Sequence, residues 1–218
     1  MKLFFHSNFI VFFILTILIG CATTEETIET NEAALFTEGQ ALLEVGQQDG
    51  DIDRAIANFS KAIEIDPDYA EAYHQRGRAY YYKGQFDKAL SDYNKTLEIY
   101  RNYPSAYCNR GLVYYMKGQY DQAIVDFRKA IKIDPRMAAA YNCLWLAYRA
   151  KGQYDQAIVD CSKAIKIDPR MAAAYNCRGL AYRAKGQYDK ACPDLKQACE
   201  LNWICKDYWS AIKSGICK

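Results

Sequence analysis

Beyond Cys21 the chain carries eight cysteines: Cys108, Cys143, Cys161, Cys177, Cys192, Cys199, Cys205 and Cys217. Thiols form disulfides in oxidising compartments, bind soft metals, or act as nucleophiles once deprotonated. Eight of them allow roughly a hundred complete pairings, so sequence alone does not fix a connectivity. No compact Cys-x-x-Cys pair occurs, which leaves metal binding as the competing reading. The histidines are only His6 and His74, too few for a two-histidine metal or catalytic motif beyond the first twenty residues. No HExxH, glycine-rich phosphate loop or GxSxG turn is present. These residues predict no enzyme, no cofactor and no metal site, and they leave His74 as a surface residue on a helix.

The elements that would position these side chains are repeated ones. "KGQYDQAIVD" occurs at Lys117–Asp126 and again at Lys151–Asp160. The copy extends over Lys117–Ala150 and Lys151–Ala184, with differences only at Phe127/Cys161, Arg128/Ser162, Leu144/Arg178 and Trp145/Gly179. An active site needs unique residues, so literal duplication points to a structural unit. At a period of 34 the chain shows four clear copies, beginning at Ala70, Pro104, Ala138 and Ala172. Each places tyrosines at Tyr73, Tyr107, Tyr141 and Tyr175, and again at Tyr80, Tyr114, Tyr148 and Tyr182. Gly84, Gly118, Gly152 and Gly186 follow, then Gln and an aromatic, Phe86, Tyr120, Tyr154 or Tyr188. Spacings of three, four and seven within each half predict two amphipathic helices broken at Gly-Gln. Asp87, Asp121, Asp155 and Asp189 fall where a cap for the second helix is expected. The repeated rings are expected to pack rather than react.

Composition fits a folded chain: 51% apolar, 25% charged, and a net charge of +2. Balanced charge gives no basic surface for nucleic acid. The first twenty residues read differently. Lys2 precedes an apolar run from Phe9 to Gly20, which as a helix covers about 18 Å, short of a hydrocarbon core of about 30 Å. This predicts a secretory signal rather than a span. "LIGC" at Leu18–Cys21 resembles the bacterial lipobox, which implies a lipid anchor at Cys21 and a signal peptide over 1–20. Ala22 in place of aspartate then implies the outer membrane facing the periplasm, with a soluble periplasmic protein as the alternative. "ATTEETIETNEAA" has almost no large apolar side chain and reads, with Cys21, as a tether over 21–34.

The 34-residue pattern, quoted in "YHQRGRAY" at Tyr73–Tyr80 and "YCNRGLVY" at Tyr107–Tyr114, resembles the tetratricopeptide repeat. Pro67, Pro135 and Pro169 take its terminal proline position. The resemblance implies an all-α fold, a right-handed solenoid of helix–turn–helix repeats over 35–205. A degenerate upstream copy, Glu38–Pro67, keeps Gly39, Ala55, Phe59 and Ala62, with Gln47–Gly50 lengthening its turn. Residues 206–218, with Trp209 at the anchor position, are expected to form a C-terminal capping helix. Two departures stand out: Trp145 replaces a contact glycine, at an expected strain of about 1–3 kcal/mol, and Pro193 falls inside the last repeat's second helix. Cys192 and Cys199 share one helical face. An antiparallel capping helix then predicts Cys199–Cys205 and Cys192–Cys217 disulfides, with Cys108, Cys143, Cys161 and Cys177 as buried thiols.

In that family partners bind along a groove made by the first helix of each repeat. Carried over, those positions are Glu71, His74, Arg78, Tyr81 and Tyr82, then Ser105, Cys108, Leu112, Tyr115 and Met116. The later copies supply Asn142, Leu146 and Arg149, then Asn176, Leu180 and Arg183. The arginines suit an acidic segment or a free C-terminus, although the family's carboxylate-clamp set is only partly matched. The expectation is a membrane-anchored scaffold for protein or peptide partners in the bacterial envelope, with no nucleic acid and no small-molecule substrate. The alternatives are a cysteine-based redox or metal-binding envelope protein and a purely structural envelope component.

Overall fold

Apolar residues at helical spacing give each 34-residue copy two helices, and the Gly-Gln pair decides where the first one stops. The computed structural model describes residues 32–44, 49–201, 211–213, 215 and 217. The apolar leader 1–20, Cys21, residues 22–31 of the tether, Gln47, Gln48, Cys205 and Trp209 lie outside the described residues. Residues 32–34, read with the tether, already belong to helix α1 (32–44). There follow α2 (Asp49–Ile65), α3 (Ala70–Tyr82), α4 (Phe86–Ile99), α5 (Pro104–Met116), α6 (Tyr120–Ile133), α7 (Ala138–Lys151), α8 (Tyr154–Ile167), α9 (Ala172–Ala184) and α10 (Tyr188–Glu200). Among the described residues there is no strand, and no helix is long and apolar enough to cross a membrane. The fold is all-α, built of helix–turn–helix repeats.

The chain divides into two compact units at Gly84. In the first, α2 packs on α3. Phe59 is fully buried, its ring 5.8 Å from that of Phe36. A Cβ on Gly39 would stand 2.7 Å from the Phe59 ring, so the helices meet there at a distance only glycine permits. The equivalent pair further on, Gly111 and Phe127, shows the same approach at 2.6 Å. The degenerate copy has four more residues between its glycine and its phenylalanine than the regular one, yet keeps the contact. Most of the insertion, expected in the turn, instead extends α2 at its start: Asp49 and Gly50 are helical, and α2 has 17 residues where α6 has 14.

In the second unit α5 pairs with α6, α7 with α8 and α9 with α10. Each second helix also packs on the next first helix, and the first helices α5, α7 and α9 lie side by side. The turns explain the sharpness of the hairpins. After α5, Gly118 takes φ +73°, a left-handed conformation that costs a side-chain-bearing residue about 1 kcal/mol or more. Its N–H donates to Tyr115 O at 2.9 Å, and Gln119 N–H donates to Tyr114 O at 2.8 Å. That is the paired bonding of a Schellman cap, which satisfies carbonyls the helix end would otherwise leave open. Where a second helix ends, Asp134 and Asp168 accept backbone N–H bonds from Arg136 and Arg170, each at 2.9 Å. These Asx turns set the bend before the next repeat.

The aspartates expected as caps have another role. The second helices begin two residues earlier than that reading requires, with Gln85, Gln119, Gln153 and Gln187 in the cap position and no side-chain cap. Asp87, Asp121 and Asp155 lie in the first helical turn and accept bonds from Lys117, Lys151 and Lys185 of the following turn. A carboxylate at a helix N-terminus is favoured by the helix dipole, and here it also ties successive repeats together. Pro193, the sixth residue of α10, does not end the helix, which continues to Glu200; it removes the one backbone bond its N–H would have made to the preceding turn.

Rings and alanines fill the core. Ala123, Ala157 and Ala191 are fully buried, and Tyr141 and Tyr148 are 1% exposed. Tyr188, in α10, is 44% exposed, so the repeated ring position is not a core position in every copy. Trp145 is buried at 6% within the central cluster that also holds Cys161. Its counterparts Gly111 and Gly179 have no room for even a Cβ, because Phe127 and Leu195 press on them. The third copy has the small Cys161 where those copies have Phe127 and Leu195, so the bulk expected to strain the packing is accommodated.

Candidate partner-binding site

Within the first unit, the positions carried over from the repeat pattern do not form one uniform surface. Glu71 and Tyr82 are exposed, Tyr82 at 55%. Arg78 donates to Gln75 Oε1 at 2.7 Å, and Tyr81 meets Tyr82 edge-on with centroids 5.9 Å apart. His74 is 5% exposed and buried, which corrects its reading as a surface residue. Spacing within one helix does not show which of its polar positions is covered.

In the second unit the first helices α5, α7 and α9 carry the remaining positions. Cys108 and Asn176 are buried, at 3% and 7%, and so present little surface to a ligand. Ser105, Leu112, Tyr115, Asn142, Leu146, Leu180 and Arg183 are half-buried, while Met116 and Arg149 are exposed. Leu112, Tyr115, Leu146 and Leu180 pack against the same central cluster. Tyr115 also leans on Tyr120 across the turn, with centroids 5.5 Å apart.

Three of the expected residues converge. Arg149, Leu180 and Arg183 line a cavity of about 230 Å³ together with Trp145 and Ala184. Its walls combine an indole, a leucine and two guanidinium groups. Such a set can hold an apolar side chain beside a carboxylate, with the guanidinium fork matched to the carboxylate oxygens. Trp145 was legible in the sequence only as a misfit in the glycine position; its role as a wall depends on the Cys161 vacancy behind it.

A second cavity, about 570 Å³, opens between the second helices, lined among others by Arg128, Lys132, Leu144, Asp160 and Lys163. Nothing in the repeat pattern marked it. It lies where Leu144 replaces an arginine: Arg110 and Arg178, at the same register, bind Asp126 and Asp194 with two bonds each of 2.7–2.8 Å. Arg110 is pushed above the usual guanidinium range, chiefly by its bond to Asp126, and Arg178 likewise by Asp194. These pairs brace each hairpin rather than offering charge to a ligand.

The cysteines sort into three groups. Cys192 and Cys217 form a disulfide with Cα atoms 5.6 Å apart, beside Leu195 and Ala211. Cys199 is disulfide-bonded as well. Cys161 and Cys177, expected as buried thiols, are instead bonded to each other across α8 and α9, Cα to Cα 6.4 Å. Position 161 faces the next first helix at the level of 177, a contact that spacing within one helix does not reveal. Cys108 and Cys143 are free. Among the described residues no three metal-ligating side chains cluster.

Comparison with known proteins places this geometry. Models described as tetratricopeptide repeat match residues 104–137 and 172–202, and one described as TPR repeat matches 48–81, 77–118 and 146–185. No curated protein sequence matches the chain. Among solved structures, that of MamA is 32% identical, with a TM-score of 0.60, over 70% of this chain and 90% of its own. YrrB, described as a TPR protein with an unusual peptide-binding site, is 21% identical, with a TM-score of 0.62, over 89% and 96%. PilF of Pseudomonas aeruginosa is 18% identical, with a TM-score of 0.66, over 80% and 78%. The last two likenesses are of fold alone.

Proposed function

Because the chain belongs to the tetratricopeptide-repeat family, whose fold is a scaffold for protein interaction, we propose that it is an envelope adaptor. It holds a protein or peptide partner on its first helices and is itself lipid-anchored through Cys21. The observation that carries the reading is the cavity walled by Trp145, Arg149, Leu180 and Arg183. An acidic segment or a free C-terminus with an apolar side chain is the partner chemistry it fits. YrrB is described as having a peptide-binding site; here the support is this chain's own side chains. The anchor rests on Leu18–Cys21 and on Ala22 after it, which favour the outer membrane facing the periplasm. Large-contact residues such as arginine and tryptophan commonly dominate binding energy at interfaces, and the cavity gathers both.

The test is photo-crosslinking in cells with a probe at Met116 or Ala184, both exposed beside the proposed face, and a control at Val125 on α6. A discrete adduct from the first two positions and none from Val125 is expected. Equal labelling from all three sites would remove the assignment of this face. Anchoring is read separately: labelled fatty acid is expected to enter the protein and to be lost in Cys21→Ser, and an unlabelled wild type would refute the anchor.

A further inference from the structure

Cys108 and Cys143 are free thiols on neighbouring first helices. Their helices α5 and α7 pack directly, and Cys143 packs against the cluster in which Cys108 is buried. The two thiols share a hydrogen bond. Their register explains why they are together. Cys143 corresponds to Cys177 of the next copy, which is bonded to Cys161. One repeat earlier the place of Cys161 is taken by Phe127, so Cys143 lacks that bonding partner. Cys108 stands at a position occupied by His74, Asn142 and Asn176 in the other copies. A cysteine out of pattern thus meets a cysteine left unpaired by the pattern.

We propose that Cys108 and Cys143 are a dithiol modification site, closed to a disulfide between α5 and α7 by a small-molecule or protein disulfide acting as oxidant. This stands independently of the partner reading. Cys143 is half-buried and Cys108 only 3% exposed, so an oxidant reaches Cys143 first. The Cys143 thiolate attacks one sulfur of the oxidant RS–SR, forming the mixed disulfide Cys143–S–SR and releasing RS⁻, which takes up a proton. Cys108 then loses its proton and its sulfur attacks Cys143 Sγ, expelling the second RS⁻. The two thiols give up two electrons and two protons, and the oxidant leaves as two RSH. The asymmetry of the pair favours this order. The Cys143 thiol is lowered by the bond it receives from Cys108, while Cys108 is pushed up by that same bond and by burial. The thiolate is the attacking species. Closure would fix the spacing of two helices whose Leu112, Tyr115 and Leu146 belong to the proposed binding face.

The test uses the full chain, oxidised glutathione and peptide mapping without reduction, after alkylation of remaining thiols. The expected wild-type result is loss of both alkylated thiols and a peptide cross-linked through Cys108 and Cys143, reversed by mild reductant. Cys108→Ser is expected to trap one glutathionyl group on Cys143, and Cys143→Ser to leave Cys108 unmodified. Persistent alkylation of both thiols in the wild type overturns the proposal. So does a separate glutathionyl group on each, or pairing of either with another cysteine. Should a variant fail to fold, the wild-type map still decides.

Discussion

Arg128 of α6 binds Asp160 of α8, with Nη2 2.9 Å from Oδ2, doing for the third copy what Arg110 and Arg178 do within their own hairpins. In the third copy that position is Leu144, 1% exposed. Asp160 therefore takes its guanidinium from the preceding repeat, and Tyr148 donates a second bond at 2.7 Å. The serine equivalent to Arg128, Ser162, instead accepts a bond from Arg178 at 3.3 Å. Two of the four differences between the near-identical copies are thus one relocated charge. The other two, Trp145 and Cys161, are one relocated volume. The duplication diverged in two compensating exchanges.

The charge exchange is testable by a double-mutant cycle. Arg128→Ser alone leaves Asp160, whose side chain is 15% exposed, with Tyr148 at 2.7 Å and Lys163 at 3.9 Å as its described partners. A loss of about 1 kcal/mol is expected, small because half of Arg128 is in solvent. Leu144→Arg alone sets two guanidinium groups on one carboxylate and fills a buried apolar site, with a loss of about 2 kcal/mol. The double variant restores the neighbouring copy's pattern. Its urea midpoint is expected to be higher than the sum of the singles, with a coupling of at least about 0.5 kcal/mol. Simple additivity would show the exchange to be coincidental.

The volume exchange predicts asymmetry between copies. Trp145→Gly opens a hole beside Cys161 and is expected to cost about 3–5 kcal/mol, the range for deleting a buried aromatic. Gly179→Trp places the same side chain where a Cβ would already be 2.9 Å from Leu195, and is expected to abolish cooperative unfolding. Thermal melts of the two variants check this. A tolerated Gly179→Trp would mean that Leu195 yields as Cys161 does not need to.

How much of this was legible follows from the range of the interactions. The helix pairs, the Gly118 turn and the buried alanines repeat in register, so a period of 34 exposes them, but the second helices start two residues before the points the aspartates suggest. The site was less legible. Arg149, Leu180 and Arg183 follow from family positions, but Trp145 joins them only because Cys161 is small, a relation between residues on different helices. His74 looked exposed because the spacing within its own helix does not show what covers a position; it is 5% exposed. The Cys161–Cys177 bond spans two helices as well. Its signal was present in retrospect: Cys161 is one of the four differences, and Phe127 cannot form that bond.

The disulfides make separable contributions. Cys161→Ala with Cys177→Ala removes a crosslink over a sequence separation of 16, and Cys192→Ala with Cys217→Ala one over 25. Each is expected to cost about 2–4 kcal/mol through the denatured chain. They differ in where protection is lost. Hydrogen exchange in the second case is expected to rise near Ala211 and Leu195, and in the first throughout α8 and α9. Uniform loss in both variants would contradict such local bracing.

Alkaline pH gives a check on the Tyr148–Asp160 contact. Burial, then the bond to Asp160, push the Tyr148 hydroxyl well above the ordinary tyrosine value of 10.0. The folded state therefore keeps a proton that the unfolded chain releases. Stability from this group is fully present below pH 10 and falls as pH rises from there toward the folded value. Tyr148→Phe loses a hydrogen bond at neutral pH, about 1 kcal/mol, but has no such proton to lose. Urea melts between pH 9 and about pH 11.5 are expected to bring the variant and the wild type closer together as pH rises. A constant gap would mean that Tyr148 ionises as freely as in the unfolded chain.

The two arginines of the cavity predict how a partner would be recognised. Arg149 is exposed and Arg183 half-buried, on successive first helices with Leu180 and Trp145 between them. If they hold a carboxylate, Arg149→Glu should weaken capture of an acidic, apolar peptide at least about tenfold, since it replaces attraction with repulsion across a few ångströms. Arg149→Lys should weaken it less, keeping the charge but losing the planar fork. The effect should shrink as salt rises, because an exposed guanidinium is screened within about 8 Å at physiological ionic strength. Trp145→Leu should cost affinity without altering the salt slope, because it removes only apolar contact. Fluorescence anisotropy with one acidic and one amidated peptide measures all of these. Equal binding of the two peptides would show that the arginines serve the repeat stack and not a ligand.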